Sequence, residues 1–465
     1  MIHFACLVAR RYGVGWYRRH FTLAPTQKGS VLRLEFEGTY RAAQVYLNGL
    51  FIGQHESGYT SYFLRIDNIT APNATLRYDG TPNVLAVRTD ASAPSGWWYD
   101  GGGIPRHVWL VTTPQVAIAP WGVFVLPSVV GAVTHGESMK DTAAAQVAIE
   151  VHTENLSPAT SVASQLLTLI YDETGAMVGN TSIDLVAGKV ATITVAINNA
   201  SLWCAERPVL YTVVNMLTTN SSRDTLRTRI GIRRIVFDND KGFAVNDRAT
   251  KLKGFANHQD FAGVGVAVPD NLQMFRITKL KEMGANAWRC AHNPPAPSLL
   301  DAADELGFYV WDENHANQKD AQQDVVSLML RDRNHPSVVL WSLCNEALCS
   351  HFDADAGALL KATIKQYDTS RPVTAAMNGD WGDNFSTLLD VVGFNYHPFQ
   401  EYDQYHSTHP AEKMIGSETS SALSDRGVYT ADKVNRMYVS AFDVNKPPWG
   451  ETVRIQCCTH CLRIH

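Results

Sequence analysis

The chain has 465 residues, too many for one ordinary hydrophobic core, so two to four domains are expected. With 45% hydrophobic and 18% charged residues, a net charge of −5 and a pI near 6.3, it carries no basic footprint for nucleic acid or an anionic membrane surface. No apolar run approaches the ~18 residues that span a bilayer.

The first eleven residues make a poor signal peptide, with a short apolar stretch and no basic start. Against that stand sequons at Asn68, Asn73, Asn155, Asn180, Asn199, Asn220 and Asn384. They are consistent with a secretory history whose signal is missing from this chain. Cys6, Cys204, Cys290, Cys344 and Cys349 are scattered and are expected as free thiols. Cys457, Cys458 and Cys461 lie with His460 and His465 in half of a zinc pattern, but one cluster without a second is not a site, so no metal or other cofactor is expected.

Residues 1–120 read as all-β. Apolar and polar residues alternate over 16–23, 31–36, 43–47, 84–88 and 108–111. Asn48-Gly49 between two such runs predicts a two-residue hairpin. Many short strands without a helix argue a sandwich or jelly roll. The loop 96–106, with Trp97, Trp98, Tyr99 and Asp100 among glycines, is either a sugar-facing surface or a packing loop. Residues 121–233 form a second all-β unit, with strands at 146–151, 166–171, 191–195 and 210–214. Their number and spacing fit an immunoglobulin-like sandwich acting as a spacer.

From residue 234 to 465 apolar runs alternate with helical patterns, as in a parallel sheet of βα units. A helix over 271–283 is expected to bury Leu272, Phe275, Ile277 and Leu280; further helices are predicted at 297–306, 322–331 and 354–367. Seven successive strands end in polar side chains. In order these are His258; His292; Asp312 and Glu313; Asn345 and Glu346; Asn378; Asn395, Tyr396 and His397; and Glu418. The run 337–346 is apolar until its last two residues, so it reads as a strand buried on both faces. Loops that follow the strands of a (β/α)₈ barrel all open on one rim, so seven such ends in a row fit that fold. Glu346 and Glu418, on the fourth and seventh strands, would face each other across its mouth. One protonated and one ionised carboxyl there suit glycoside hydrolysis.

The residues Gly15-Trp16-Tyr17-Arg18-Arg19, Leu47-Asn48-Gly49, Leu202-Trp203 with Pro208-Val209-Leu210-Tyr211, Leu252 to His258, Arg289 with His292-Asn293-Pro294, Arg333-Asn334-His335-Pro336-Ser337-Val338, and Trp341-Ser342 with Asn345-Glu346 together resemble glycoside hydrolase family 2, the β-galactosidase and β-glucuronidase group. The resemblance implies a jelly roll, an immunoglobulin-like sandwich and a TIM barrel, with a retaining mechanism. It makes Glu346 the acid/base and Glu418 the nucleophile. It makes Asn345, His258, His292, Tyr396 and Asn395 substrate-side residues, with Asp100 beside them. The expected substrate is a terminal β-glycoside, a β-galactoside before a β-glucuronide or β-mannoside, and a homo-oligomer is compatible with it. The match ends near Gly450, before the eighth βα unit. A barrel one strand short leaves open edges. The chain is therefore expected to be poorly stable and weakly active, and the alternative reading is an impaired carbohydrate-binding fragment of the same family.

Overall fold

The computed structural model describes residues 13–71, 75–93, 100–315, 321–346, 349, 354–379, 381–396 and 399–419. Cys6, Asn73, Trp97, Trp98, Tyr99, His397, the tail cysteines and histidines, and all residues beyond 419 lie outside the described residues.

The first unit packs two antiparallel sheets. One has the order Val14–Phe21, Asn83–Asp90, Ala43–Leu47, Leu50–His55; the other runs Tyr62–Arg65, Val31–Phe36, Val108–Thr113. The alternation in Ala43–Leu47 sends Ala43, Val45 and Leu47 into a shared core with Leu32, Leu34, Phe36 and Val87. Asn48 (φ 48°) and Gly49 (φ 89°) make the hairpin turn, which requires positive φ at both positions.

The second unit is a sandwich of four and three strands. Met177–Val186, Ala163–Tyr171, Tyr211–Thr218 and Arg223–Ile230 face Val190–Ser201, Thr142–Asn155 and Val116–Thr134. Val147, Ile149, Val151, Leu166, Ile170 and Val213 fill the space between. Val116–Thr134 runs straight through residues 120 and 121, where the sequence suggested a boundary. A small antiparallel sheet, Ile235–Asp238, Gly242–Val245 and Arg248–Ala249, follows and precedes the first parallel strand.

Seven parallel strands come next: Gly254–Asn257, Ala287–Cys290, Tyr309–Glu313, Val338–Asn345, Val373–Met377, Val391–Asn395 and Met414–Glu418. Each is hydrogen-bonded to the next in sequence order. That order is a barrel's; a doubly wound sheet reverses once. The helices between them are Asp270–Glu282, Pro297–Leu306, Ala321–Asp332, Ala354–Tyr367 and Phe399–Thr408. Trp341, Val338, Leu343 and Val373 pack outward against Leu300, Val325, Leu360 and Ile364 from those helices. At the opposite end Trp203 packs among Phe243, Tyr309 and Val339, and donates its indole N–H to the Asp304 carbonyl (3.1 Å), so the linker from the sandwich is part of the barrel's floor.

Two expectations are corrected. In Asp270–Glu282 the buried residues are Gln273 and Ile277, while Phe275 is 47% exposed. Arg276 stacks on Trp288 (4.6 Å to the ring centroid) and donates from Nη1 to Gln273 Oε1 (3.3 Å), so this pair occupies the inward face and turns Phe275 out. Cys344 and Cys349 are not free thiols: they form a disulfide with Cα atoms 5.3 Å apart. Cys204 and Cys290 are free and buried, as expected.

Gly307 ends the helix Pro297–Leu306 with φ 75°, and a Cβ there would lie 2.2 Å from the Ala205 carbonyl oxygen. Both the conformation and the contact require glycine. Gly307→Ala should cost more than ~1 kcal/mol, read as a lowered melting temperature, because Ala205 belongs to the packed linker and cannot yield cheaply.

Candidate active site

The carboxyl ends of the seven strands meet at one rim, and Arg289 organises it. This arginine lies in the second strand and is 5% exposed. Its Nε donates to Glu313 Oε2 (3.0 Å), and its Nη1 donates to Glu418 Oε1 (2.6 Å). Nη2 donates to Glu313 Oε1 (3.0 Å) and Asn345 Oδ1 (2.7 Å). Burial disfavours the cation, but the charges of Glu313 and Glu418 outweigh that and hold its pKa above the ordinary value. Glu313 is fully buried and also accepts from Ser342 Oγ (3.0 Å).

His292 Nδ1 lies 2.9 Å from Glu313 Oε1 and 3.0 Å from Arg289 Nη2. The two hydrogens on Nη2 already serve Glu313 and Asn345, so Nδ1–H donates to Glu313. Nε2 is then turned toward Glu418, 3.9 Å from Oε1. His258 stands beside it, ring centroids 5.4 Å apart, and burial lowers its pKa, helped by His292. Asp100 is 5% exposed and accepts from Tyr59 Oη (2.5 Å). The Tyr59 ring is 4.4 Å from His315, whose Nδ1 bonds the His292 carbonyl (2.7 Å), so Asp100 connects to the rim through two intermediaries.

The two glutamates are treated oppositely. Burial alone would raise the Glu418 carboxyl, but the Arg289 charge and hydrogen bonds from Tyr396 Oη and Arg289 hold it below the ordinary carboxylate range. Burial raises Glu346 and the charge of Glu418 adds to this, while a bond from Asn395 Nδ2 (2.8 Å) and the charges of His292 and Arg289 oppose it without reversing it. Asn395 is oriented by Ser417 Oγ, which donates to its Oδ1 (2.6 Å) and leaves the amide N–H₂ facing Glu346. Glu346 (φ 46°) and Tyr396 (φ 59°) both leave their strands in the left-handed region. Non-glycine residues held there are strained and cluster at functional sites.

Glu346, Glu418, Asn345, Asn395, Tyr396 and His292 are thus brought together, with His258 against His292 and Asp100 behind. Arg289 stood out in the sequence only as part of the family motif and Glu313 only as a strand-end carboxylate, and Ser342 and Ser417 were given no role at the site. A charge inside an otherwise apolar strand, as in Trp288-Arg289-Cys290, is the signal that marks the first of them. A cavity near the rim is lined by Arg106, His258, Gln259, Gln273, Arg276 and Asn293 among others, at the joint with the first sandwich.

A barrel rim with one carboxyl whose pKa is raised and another whose pKa is held down is the arrangement of a glycoside hydrolase. Family models agree. "Glycosyl hydrolases family 2, TIM barrel domain" matches residues 236–327 and 314–418, "Glycosyl hydrolases family 2" matches 132–233, and "Beta-galactosidase second all-beta domain" matches 3–94. The chain belongs to glycosyl hydrolases family 2. It is 32% identical to Beta-galactosidase BoGH2A of Bacteroides ovatus, over 95% of this chain and 58% of that protein. The crystal structure of a family 2 member from Bacteroides cellulosilyticus superimposes with a TM-score of 0.79 at 32% identity, covering 88% of this chain and 56% of the other. Bacteroides uniformis β-glucuronidase 2, covalently bound to cyclophellitol-6-carboxylate aziridine, gives 0.74 at 27% identity over 89% and 54%. The chain spans little more than half the length of these relatives.

Among the described residues no helix is long and apolar enough to cross a membrane.

Proposed function

We propose that the chain is a retaining exo-glycoside hydrolase of terminal β-linked sugars, with β-galactosides as the first candidates. The observation that carries this is the pairing of Glu346 and Glu418 on one rim with their pKa values shifted in opposite directions. In the first step Glu418 forms a bond to the anomeric carbon while the glycosidic C–O bond breaks and Glu346 gives its proton to the leaving oxygen. In the second, Glu346 takes a proton from water, the water oxygen bonds to the anomeric carbon, and the ester to Glu418 breaks. Arg289 bonds Asn345 Oδ1, which leaves the Asn345 amide N–H₂ for the sugar 2-hydroxyl. That bond is worth most where charge develops at the neighbouring carbon. Residues 1–120 and 121–233 would be the sugar-binding jelly roll and the spacer, and 234–465 the catalytic domain.

The stretch 254–265 resembles β-galactosidases more than glucuronidases, whereas the similarity to a β-glucuronidase keeps the glucuronide as the second reading. Turnover of aryl β-galactoside, β-glucuronide and β-mannoside by the full chain tests the choice. The galactoside should be cleaved fastest, and a faster glucuronide would reverse the assignment.

The pH profile follows from the two carboxyls. Activity needs Glu418 ionised, and its pKa lies below the ordinary value, so kcat/KM falls only at low pH as it takes a proton. Activity also needs Glu346 protonated, and its pKa is raised, so the alkaline limb reports its proton loss. Glu346→Gln should remove the alkaline limb and leave the acid limb in place.

A further inference from the structure

The proton-donor candidate sits within a small covalent ring. Cys344 belongs to the fourth strand, and Cys349, five positions on, is bonded to it. Asn345 and Glu346 lie between them. Both half-cystines are buried (0% and 2% exposed) and pack into the core that holds Trp341, Leu343 and Met377. Both ends of the ring are therefore tied to the barrel wall. Glu346 leaves the strand at φ 46°, a conformation an unrestrained glutamate abandons readily. Its carboxyl is held by Asn395 (2.8 Å), but that bond fixes the side chain and not the backbone from which it springs.

A general acid works only within hydrogen-bond reach of the leaving oxygen, and a displacement of about 1 Å can cost ~100-fold in rate. The geometry points to the Cys344–Cys349 disulfide as a positioning device for Glu346, anchoring the chain on either side of it so that the strained backbone at Glu346 presents the carboxyl in one place. The inference rests on the acid/base reading of Glu346. Such a bond persists in oxidising compartments, where N-x-S/T sequons are also used.

A bond that only stabilised the barrel would lower every rate together. One that places a proton donor acts selectively. A 2,4-dinitrophenolate departs without a proton, whereas phenolate departs slowly unless it receives one. The readout is the ratio of kcat/KM for the phenyl glycoside to that for the 2,4-dinitrophenyl glycoside.

The full chain is compared with Cys344→Ala/Cys349→Ala and with Glu346→Ala. The cysteine pair should lower the ratio by about tenfold, and Glu346→Ala by ~100-fold or more. Alkylation of the denatured, unreduced wild-type chain, read by peptide mass spectrometry, should label Cys204 and Cys290 and spare Cys344 and Cys349. Should the double variant not fold, Cys349→Ser is read in the same way. Labelling of Cys344 and Cys349 without reductant overturns the inference. So does an unaltered ratio in the cysteine variants beside a lowered one in Glu346→Ala. An unaltered ratio in Glu346→Ala instead sinks the acid/base reading, and the inference goes with it.

Discussion

Glu418→Gln is expected to lower kcat by ~10⁴-fold or more, roughly 5 kcal/mol of barrel-borne transition-state stabilisation. The amide keeps the shape of the carboxylate and can still meet Tyr396 and Arg289, which contact its two oxygens in the native chain. It cannot form the bond to the anomeric carbon. Circular dichroism should therefore be unaltered while turnover is lost, and retained activity would remove Glu418 from the mechanism. Stereochemistry sharpens the test. Glu418→Gly opens room for azide on the nucleophile's side, where attack inverts the anomeric carbon and yields an α-glycosyl azide. In Glu346→Gly azide would attack the glycosyl-enzyme from the opposite side and yield the β-azide. The two products separate the two roles independently of any rate.

The features that the sequence displayed are those governed by local pattern. The apolar run ending in Asn345 and Glu346 is a strand buried along its whole length, and Val31–Phe36, Ala43–Leu47 and Pro297–Leu306 fall where alternation and helix-end signals put them. What it concealed depends on partners far along the chain. Val116–Thr134 contains Pro120, Gly122, Pro127 and Gly131, which look like punctuation. As the edge of a three-stranded sheet it tolerates prolines that a central strand would not. The inward face of Asp270–Glu282 is set by the stack of Arg276 on Trp288, and no hydrophobic count along the helix anticipates it. The pairing of Cys344 with Cys349 depends on how the chain leaves the fourth strand, and spacing alone does not fix connectivity. Among the site residues, the carboxylates at strand ends were legible because an apolar run stops at them. Arg289 was legible only as a member of the family motif, because its role exists only once the second, third, fourth and seventh strands converge on it.

Arg289→Met is the change in which stability and catalysis should fall together. It removes one buried cation from contact with two carboxylates, Glu313 (0% exposed) and Glu418 (13%). Loss of one partner from a buried ionic group leaves the others uncompensated, at a typical cost of ~3–5 kcal/mol. Burial would then dominate at Glu418, and its pKa should rise. The sign follows. In the native chain the depressed Glu418 pKa contributes stability that is present above the unfolded-state value and is lost as pH falls through the folded-state value. The variant lacks that contribution, so the difference in unfolding free energy between the two chains should be largest near neutral pH and shrink on acidification. The acid limb of kcat/KM should move to higher pH in the same protein. Arg289→Lys keeps the charge but not the fork that reaches Glu313, Glu418 and Asn345 at once, so it should recover part of the stability and less of the activity. Equal recovery of both would mean that Arg289 acts by charge alone, and that its alignment of Asn345 with the nucleophile has no part in the reaction.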